Sequence, residues 1–454
     1  MSAVVHEGVS PMSANAATDR KQMQAVLMSS FLGSAIEFYD FLLYGLAASL
    51  VFGQLYFADL SPAMGVIASF ATLAVGYLAR PLGGLIFGHF GDRIGRKSML
   101  VLAMLLMGGA SFCIGLLPTQ ATIGEAAPLL LIALRVIQGI AVGGEWGGAA
   151  LMAMEHSAPD RRGFSASFAN MGGPAGAAIA TIVFSLCSLM PDDRFLAWGW
   201  RVPFLLSAVL VAIGLFVRLK VAESPVFLAA QQRAAVKPRR RPPLAEVLTR
   251  YPRAVVLACL GTVMAFAVQS LLATFAMPYA IAAGHTRSEV LWVSAATQII
   301  HVFTIPAFAA LSDRIGRRTV MMAGVAGMIV LIHPIWLMMG AGSLPLLFVA
   351  ILIGNPVLQA MVYGPTAAYV SEMFGADSRY TGASLGYQIS STIGGGLVPL
   401  AATALLAARG GNDPIYVSLF VAGIGVISLG ALLLAGRPRP ARTSESDVGV
   451  TTAV

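Results

Sequence analysis

The sequence predicts an all-α membrane protein of twelve transmembrane helices, built as two related six-helix halves, and three observations predict it. Of its 454 residues, 57% are hydrophobic and only 11% charged, whereas a water-soluble domain carries about a quarter charged residues. Twelve apolar stretches follow one another along the chain, each near the ~20 residues that cross a ~30 Å hydrocarbon core. Two charged motifs also recur at nearly one offset, the mark of an internal duplication.

The apolar stretches fall at 25–53, 62–90, 98–117, 127–154, 164–190, 199–219, 254–282, 289–312, 319–340, 344–371, 380–408 and 414–436. Prolines inside several of them fit membrane helices, where neighbouring helices re-satisfy the freed backbone groups. Residues 1–20 are polar and lack the apolar core of a cleavable signal, so the first stretch is expected to be a retained span.

Basic residues set the orientation. With a cytoplasmic N-terminus, 23 of the 29 Lys and Arg residues fall on the cytoplasmic side and only Arg194, Arg201, Arg287 and Arg409 on the other. That is the positive-inside pattern. The net charge of +8 is therefore a topology signal, and no nucleic-acid partner is expected. The two remaining arginines, Arg80 and Arg135, sit inside spans. Cys113, Cys187 and Cys259 all lie in apolar stretches without CxxC spacing, which reads as small buried hydrophobes rather than a metal site or disulfide.

The longest polar loop, 221–252, divides six helices from six. The expected organisation is a cytoplasmic tail (1–22), a first bundle (23–220), a cytoplasmic linker (221–252), a second bundle (253–436) and a cytoplasmic tail (437–454). The halves repeat. Gly91-Asp92-Arg93-Ile94-Gly95-Arg96-Lys97 is echoed by Ser312-Asp313-Arg314-Ile315-Gly316-Arg317-Arg318, and Glu155 seven residues before Arg162 is echoed by Glu372 seven before Arg379.

The segment Gly88-His89-Phe90-Gly91-Asp92-Arg93-Ile94-Gly95-Arg96-Lys97 resembles the GxxGDRxGRK motif of the major facilitator superfamily. Within it the chain is similar to the metabolite:proton symporter family. The residues that carry this likeness are the run Gly33 to Phe41, Ala79-Arg80-Pro81-Leu82-Gly83-Gly84, Arg135-Val136-Ile137-Gln138-Gly139, Gly143-Gly144-Glu145-Trp146-Gly147-Gly148, Trp198 to Phe204 and Glu223-Ser224-Pro225. They cover the first half and continue more thinly to the end. The resemblance implies uptake of a metabolite such as shikimate, 2-oxoglutarate, citrate, proline or betaine together with a proton.

Asp92, Arg93, Arg96 and Lys97, with Gly91 and Gly95, close a very short loop. They read as a tight basic turn and also as a conformational latch that pairs with neighbouring helix ends in one state; Asp313, Arg314, Arg317 and Arg318 are its weaker copy. Glu37, Asp40 and Tyr44 share one face of the first helix, and carboxylates inside a span are expected to face the central cavity. The resemblance makes the first and fourth helices cavity neighbours, so Asp40 is the expected proton site, with Arg135 as counter-charge and Glu37 a second candidate, while Tyr44 and Gln138, one turn beyond Arg135, are expected substrate contacts. A permanent ion pair holding helices together is the structural alternative. Arg80 has no acidic partner in its own helix and suits a substrate carboxylate, whose two oxygens match a planar guanidinium; a structural pair, with Glu37 for example, is the other reading. Glu145 lies among helix-contact glycines, with gating, a structural bond and proton passage all open. In the second half the deep spans carry no Asp or Glu, so uncharged groups such as Gln269, Gln298, Asn355, Gln359, Tyr363, Tyr387 and Gln388 must build the cavity face. Gln359, Tyr363 and Gln388 are the best substrate contacts there, while His301 reads as a hydrogen-bonded residue between helices. Gly172-Gly173-Pro174-Ala175-Gly176 reads as a helix-packing segment.

The expected function is proton-coupled import of a small organic anion by a bacterial inner-membrane protein working as a monomer, with the proton as coupling ion and no cofactor. A proline or betaine symporter and a proton-driven exporter are the alternatives. The C-terminal tail is short and lacks the heptads of a coiled coil, which disfavours the osmosensing type. No nucleotide loop, metal-ligand cluster or soluble catalytic segment stands in the sequence, so an enzyme is not expected.

Overall fold

The computed structural model describes residues 11–94, 96–143, 153–154, 157, 159–220, 243–375, 379–410 and 413–435. Every regular element among them is helical. The long rods, in chain order, are α1 (Pro11–Ala47, carried on by a π-turn at Ala48–Phe52 and by Gly53–Leu55), α2 (Pro62–Ile94), α3 (Arg96–Leu116), α4 (Ala126–Val142), α5 (Arg162–Cys187) and α6 (Val202–Lys220). The second set is α7 (Pro252–Ser270, a π-turn at Leu271–Phe275, then Ala276–Ala282), α8 (Arg287–Ile315), α9 (Arg317–Gly340), α10 (Leu344–Leu352, a π-turn at Ile353–Gln359, then Ala360–Glu372), α11 (Arg379–Ser391, a π-turn at Thr392–Leu397, then Val398–Ala407) and α12 (Ile415–Leu434).

Among the described residues, ten helices are long and apolar enough to cross a membrane; the apolar helices Val101–Leu116 and Ala126–Val142 are shorter. Their outer surface fits that solvent. Leu78, Leu82 and Ile86 form an exposed stripe at helical spacing on α2, and Leu419, Val426 and Leu433 do so on α12. Continuous apolar faces of this kind suit a hydrocarbon surround better than water.

Helices α1 and α7 are central: each buries 89% of its most apolar window, whereas the windows of α6 and α12 are 39% buried. Both central helices carry a π-turn near the same end, at nearly the offset that separates the two charged motifs. The duplication read from sequence therefore also appears in the backbone. Helix α5 packs on α1 of its own half and on α8 and α10 of the other, while α2 packs against the π-turn of α11. These are two of the seams along which the halves meet.

Glycine makes the closest approaches possible. A Cβ on Gly83 would lie 1.9 Å from the Ile140 carbonyl oxygen, and one on Gly143 would lie 2.0 Å from that of Arg80, so α2 and α4 meet backbone to backbone. Gly176 likewise sits against Ala35 of α1, which bears out the packing reading of the Gly-Pro segment. Gly83→Leu is expected to cost about 3 kcal/mol or more through overpacking. It should lower the melting temperature in detergent, and an unchanged melting temperature would contradict the close packing.

Helix α1 already begins at Pro11 and so extends into the stretch expected as a tail; a short helix, Pro243–Arg250, forms within the expected linker. Residues 221–242 and 436–454 lie outside the described residues. Cys187 and Cys259 are buried, Cys113 is exposed on the apolar surface, and all three are free thiols.

Candidate functional site

The halves meet around a cavity of ≈ 20 Å³ lined by Phe38, Phe41 and Gly45 of α1, Tyr77 and Arg80 of α2, and Phe266 and Gln269 of α7. That volume holds about one water molecule, far below the ~300 Å³ or more of a ligand pocket. The described residues are thus drawn closed around the midpoint.

The stripe of α1 that lines this cavity is Phe38, Phe41, Leu42 and Gly45, at i, i+3, i+4 and i+7. The expectation of a shared cavity face needs correction for Asp40 and Tyr44, because a shift of one residue turns a side chain by about 100° around the helix. Asp40, 2% exposed, points instead into the first half: its Oδ1 accepts from the Ser207 hydroxyl of α6, and Ser111 of α3 is close enough to act on the carboxylate. Tyr44 donates to Thr72 of α2 at 2.6 Å. Glu37 is buried too, but its electrostatic reach is towards Tyr77 of α2 and Tyr363 and Tyr387 of the second half.

Arg135 is fully buried and does not touch Asp40 directly. Its Nη1 donates to Gln138 at 3.0 Å, Gln138 donates onward to Ser111 at 2.6 Å, and its Nε and Nη2 carry no hydrogen bond. Arg135 and Asp40 still act on one another electrostatically, as the counter-charge reading expects, with the Gln138–Ser111 pair beside them rather than a direct ion pair. Gly76 makes room for Arg135, since a Cβ there would lie 2.4 Å from the Arg135 Nε. Gln138, expected at the substrate, belongs to this cluster.

Arg80, 3% exposed, opens on the cavity. Its Nη1 reaches Ser391 of α11 at 3.5 Å, and its Nε has no hydrogen-bond partner. Its guanidinium carbon lies 4.1 Å from the Phe41 ring centroid and 4.3 Å from that of Tyr77, while the Arg135 guanidinium lies 3.9 Å from Phe41 and 4.1 Å from Tyr44. The two cations are thus no more than ~8 Å apart, a repulsion of about 2 kcal/mol at an effective dielectric constant of 20. Four cation–ring contacts at ~0.5–2 kcal/mol each offset it.

The second half supplies the uncharged layer expected of it. Gln359 donates to the Ala265 carbonyl at 3.1 Å, the Tyr363 and Tyr387 hydroxyls meet at 2.9 Å, and Gln388 reaches the Gly143 carbonyl across the seam at 3.4 Å. None of Gln359, Tyr363 and Gln388 lines the cavity; Tyr363 and Tyr387 stand edge-on behind Phe266, which does. His301 is buried beside Gln298, as a polar residue between helices.

The second-half copy of the charged motif is engaged. Asp313 accepts from the backbone N–H groups of Gly163 and Phe164 at 3.0 and 2.9 Å, so a carboxylate of one half sits on the N-terminus of α5 in the other, where the helix dipole favours it. Arg317 bonds Asp313 at 2.6 Å and Glu372 at 2.9 Å. Arg318 caps the end of α12 through the Leu433 carbonyl, and Arg314 is exposed. Gly95 and Glu145 lie outside the described residues, as do the side chains at Asp92, Arg93, Arg96 and Lys97 and the surroundings of Gly91. At the opposite end Arg287 pairs with Asp192 and covers Phe195 at 4.6 Å, again joining the halves. Asp313→Asn is expected to weaken its end by about 1–3 kcal/mol, a 5–150-fold shift in opening. The alkylation rate of a cysteine at Ala166, which is buried in α5, checks it; an unchanged rate would contradict the latch.

Sequence reasoning missed Phe41, Tyr77, Ser111, Ser207 and Ser391. Tyr77 stands one helical turn before Arg80, a spacing that brings two side chains together; Phe41 ends the run that carries the family likeness, and Ser111, Ser207 and Ser391 have no local signal.

Two helical halves that enclose a charged, buried midpoint and are tied at both ends have the architecture of a secondary transporter. A family model described as Sugar (and other) transporter matches residues 25–241, and one described as Major Facilitator Superfamily matches residues 257–452. The Shikimate transporter of Escherichia coli is 41% identical over 410 residues, 90% of this chain and 93% of its own. A Proline/betaine transporter of Salmonella typhimurium is 32% identical over 90% of this chain and 83% of its own. A crystal structure of a D-xylose-proton symporter shares the fold, with a TM-score of 0.70 at 18% identity over 92% of this chain and 98% of that one. The chain belongs to the major facilitator superfamily, in its metabolite:proton symporter family, and so is a multi-pass membrane transporter rather than an enzyme.

Proposed function

We propose that the protein imports a small organic anion together with a proton across a bacterial inner membrane. In this reading the chain spans the membrane twelve times with both termini in the cytoplasm, and it works as a monomer. Its halves, 23–220 and 253–436, rock about the midpoint, and it needs no cofactor beyond the coupling proton. The observation that carries the reading is Arg80: a buried guanidinium opening on the cavity between the halves, with its Nε unpartnered. A substrate carboxylate supplies what that group lacks. Asp40, set behind α1 and linked towards Arg135 through Ser111 and Gln138, takes the proton. Since the 41%-identical relative is named for shikimate, a hydroxylated ring carboxylate heads the candidates. The Asp313–Arg317–Glu372 cluster and the Asp192–Arg287 pair are the end closures that must open alternately.

A zwitterion such as betaine also carries a carboxylate, and the 32%-identical relative supports that second reading. Its onium group would need free aromatic faces, whereas Phe41 and Tyr77 already hold Arg80. The test is uptake of radiolabelled shikimate, 2-oxoglutarate, citrate, proline and betaine into proteoliposomes, with and without an inward proton gradient. Gradient-driven accumulation of an acid is expected; accumulation of proline or betaine alone would sink the anion reading.

A further inference from the structure

We infer that Phe41 is the positioning residue of the anion site: its ring holds the Arg80 guanidinium, and through the same ring that of Arg135, so that the hydrogen-bonding edge of Arg80 stays free for a carboxylate. The inference rests on the anion reading given above and adds a residue that no carboxylate or hydrogen-bond search would find.

Two buried cations must be held in place here with few hydrogen bonds. Arg80 has one long hydrogen bond, to Ser391, and Arg135 has one, to Gln138; Arg80 Nε and Arg135 Nε and Nη2 have none. What both share is Phe41, with guanidinium carbons 4.1 and 3.9 Å from its centroid. A guanidinium held over a ring by cation–π attraction keeps its N–H groups available in its own plane, which is the geometry for receiving a carboxylate edge-on. Phe41 is itself fixed. Tyr77 stands edge-to-face against it at 4.6 Å, and Tyr77 is wedged against bare backbone of the other half: Cβ atoms on Gly395 and Gly396 would come within 2.6 Å of its side chain, and its carbonyl accepts from Thr392 at 2.9 Å. The ring thus joins the anion site, the arginine linked towards Asp40 and the α2–α11 seam. A leucine at 41 would fill comparable space and stay apolar, but it offers no π-face to either cation.

The experiment grades the strength of the ring while keeping its shape. Full-length protein carrying 4-fluoro-, 3,5-difluoro- or 3,4,5-trifluorophenylalanine at position 41 is reconstituted in proteoliposomes beside Phe41→Tyr and Phe41→Leu. Uptake of radiolabelled shikimate is measured under an inward proton gradient. Each fluorine withdraws charge from the ring face, so KM is expected to rise stepwise, reaching about tenfold for the trifluoro ring, which is ~1.4 kcal/mol. Phe41→Leu should lie at or beyond that value, and Phe41→Tyr should stay near the wild type. A flat KM across the fluorine series overturns the inference, because a purely space-filling ring would not respond to fluorination in this graded way. The parent reading has its own control in Arg80→Lys. A flat fluorine series with an Arg80→Lys-sensitive KM removes only the role of Phe41. Wild-type protein that fails to accumulate shikimate, or an Arg80→Lys variant with unchanged KM, removes the shikimate anion site and the inference with it.

Discussion

Asparagine at Asp40 is expected to abolish proton-driven accumulation while leaving substrate exchange in place. The side chain keeps its size and its hydrogen bond with Ser207, but it can no longer gain or lose a proton. In a one-to-one symporter a gradient of one pH unit supports about tenfold accumulation, because ~1.4 kcal/mol per proton is converted into a concentration ratio. For Asp40→Asn that ratio should fall to about one. Exchange of labelled for unlabelled substrate needs no net proton movement and should persist. The buried position of Asp40 among α1, α3 and α6 makes the result specific, because the group is set apart from the cavity and its loss leaves Arg80 untouched. Accumulation at the wild-type ratio in the variant would move the proton site elsewhere, with Glu37 the next to examine.

Lysine at Arg80 is the second large effect. It preserves the charge but not the planar fork, and an ammonium cannot present two parallel N–H groups to a carboxylate while resting between Phe41 and Tyr77. The loss of a bidentate, desolvated contact is expected to raise KM about 100-fold, ~2.7 kcal/mol, with normal insertion and an unchanged melting temperature. Uptake kinetics and thermal unfolding in detergent, taken together, separate this from a structural defect. A KM within a factor of ~3 of the wild type would make Arg80 a structural cation.

Much of this molecule was legible beforehand, for a physical reason. A membrane helix must be long, apolar and internally hydrogen-bonded, so composition and length alone place the rods to within a few residues, as with 254–282 against Pro252–Ala282. The repeat was equally readable, because charged motifs in an apolar chain stand out. Asp313 and Arg317, the echo of Asp92 and Arg96, do engage neighbouring helix ends, and Glu372, read only as part of the repeat, joins them. Rotational phase was less legible. Glu37, Asp40 and Tyr44 do share a stripe, but the cavity lies along the neighbouring stripe, and nothing in α1 alone states which stripe faces the other half. The link between Asp40 and Arg135 was hidden for a related reason: it passes by Gln138 and by Ser111, which sits on a third helix distant in sequence from Asp40. Phe41 was hidden most completely, since an aromatic residue in an apolar span carries no sign that two arginines will stack on it.

The most direct test of proton-coupled anion import follows the proton itself. Wild-type proteoliposomes are suspended in weakly buffered medium with no imposed gradient, shikimate is added outside, and the external pH is recorded. A symporter carrying proton and anion inward should make the medium more alkaline on addition, with the change absent in Asp40→Asn and abolished by a protonophore. Entry of labelled shikimate with no change in external pH would contradict the coupling, and with it the role assigned to Asp40.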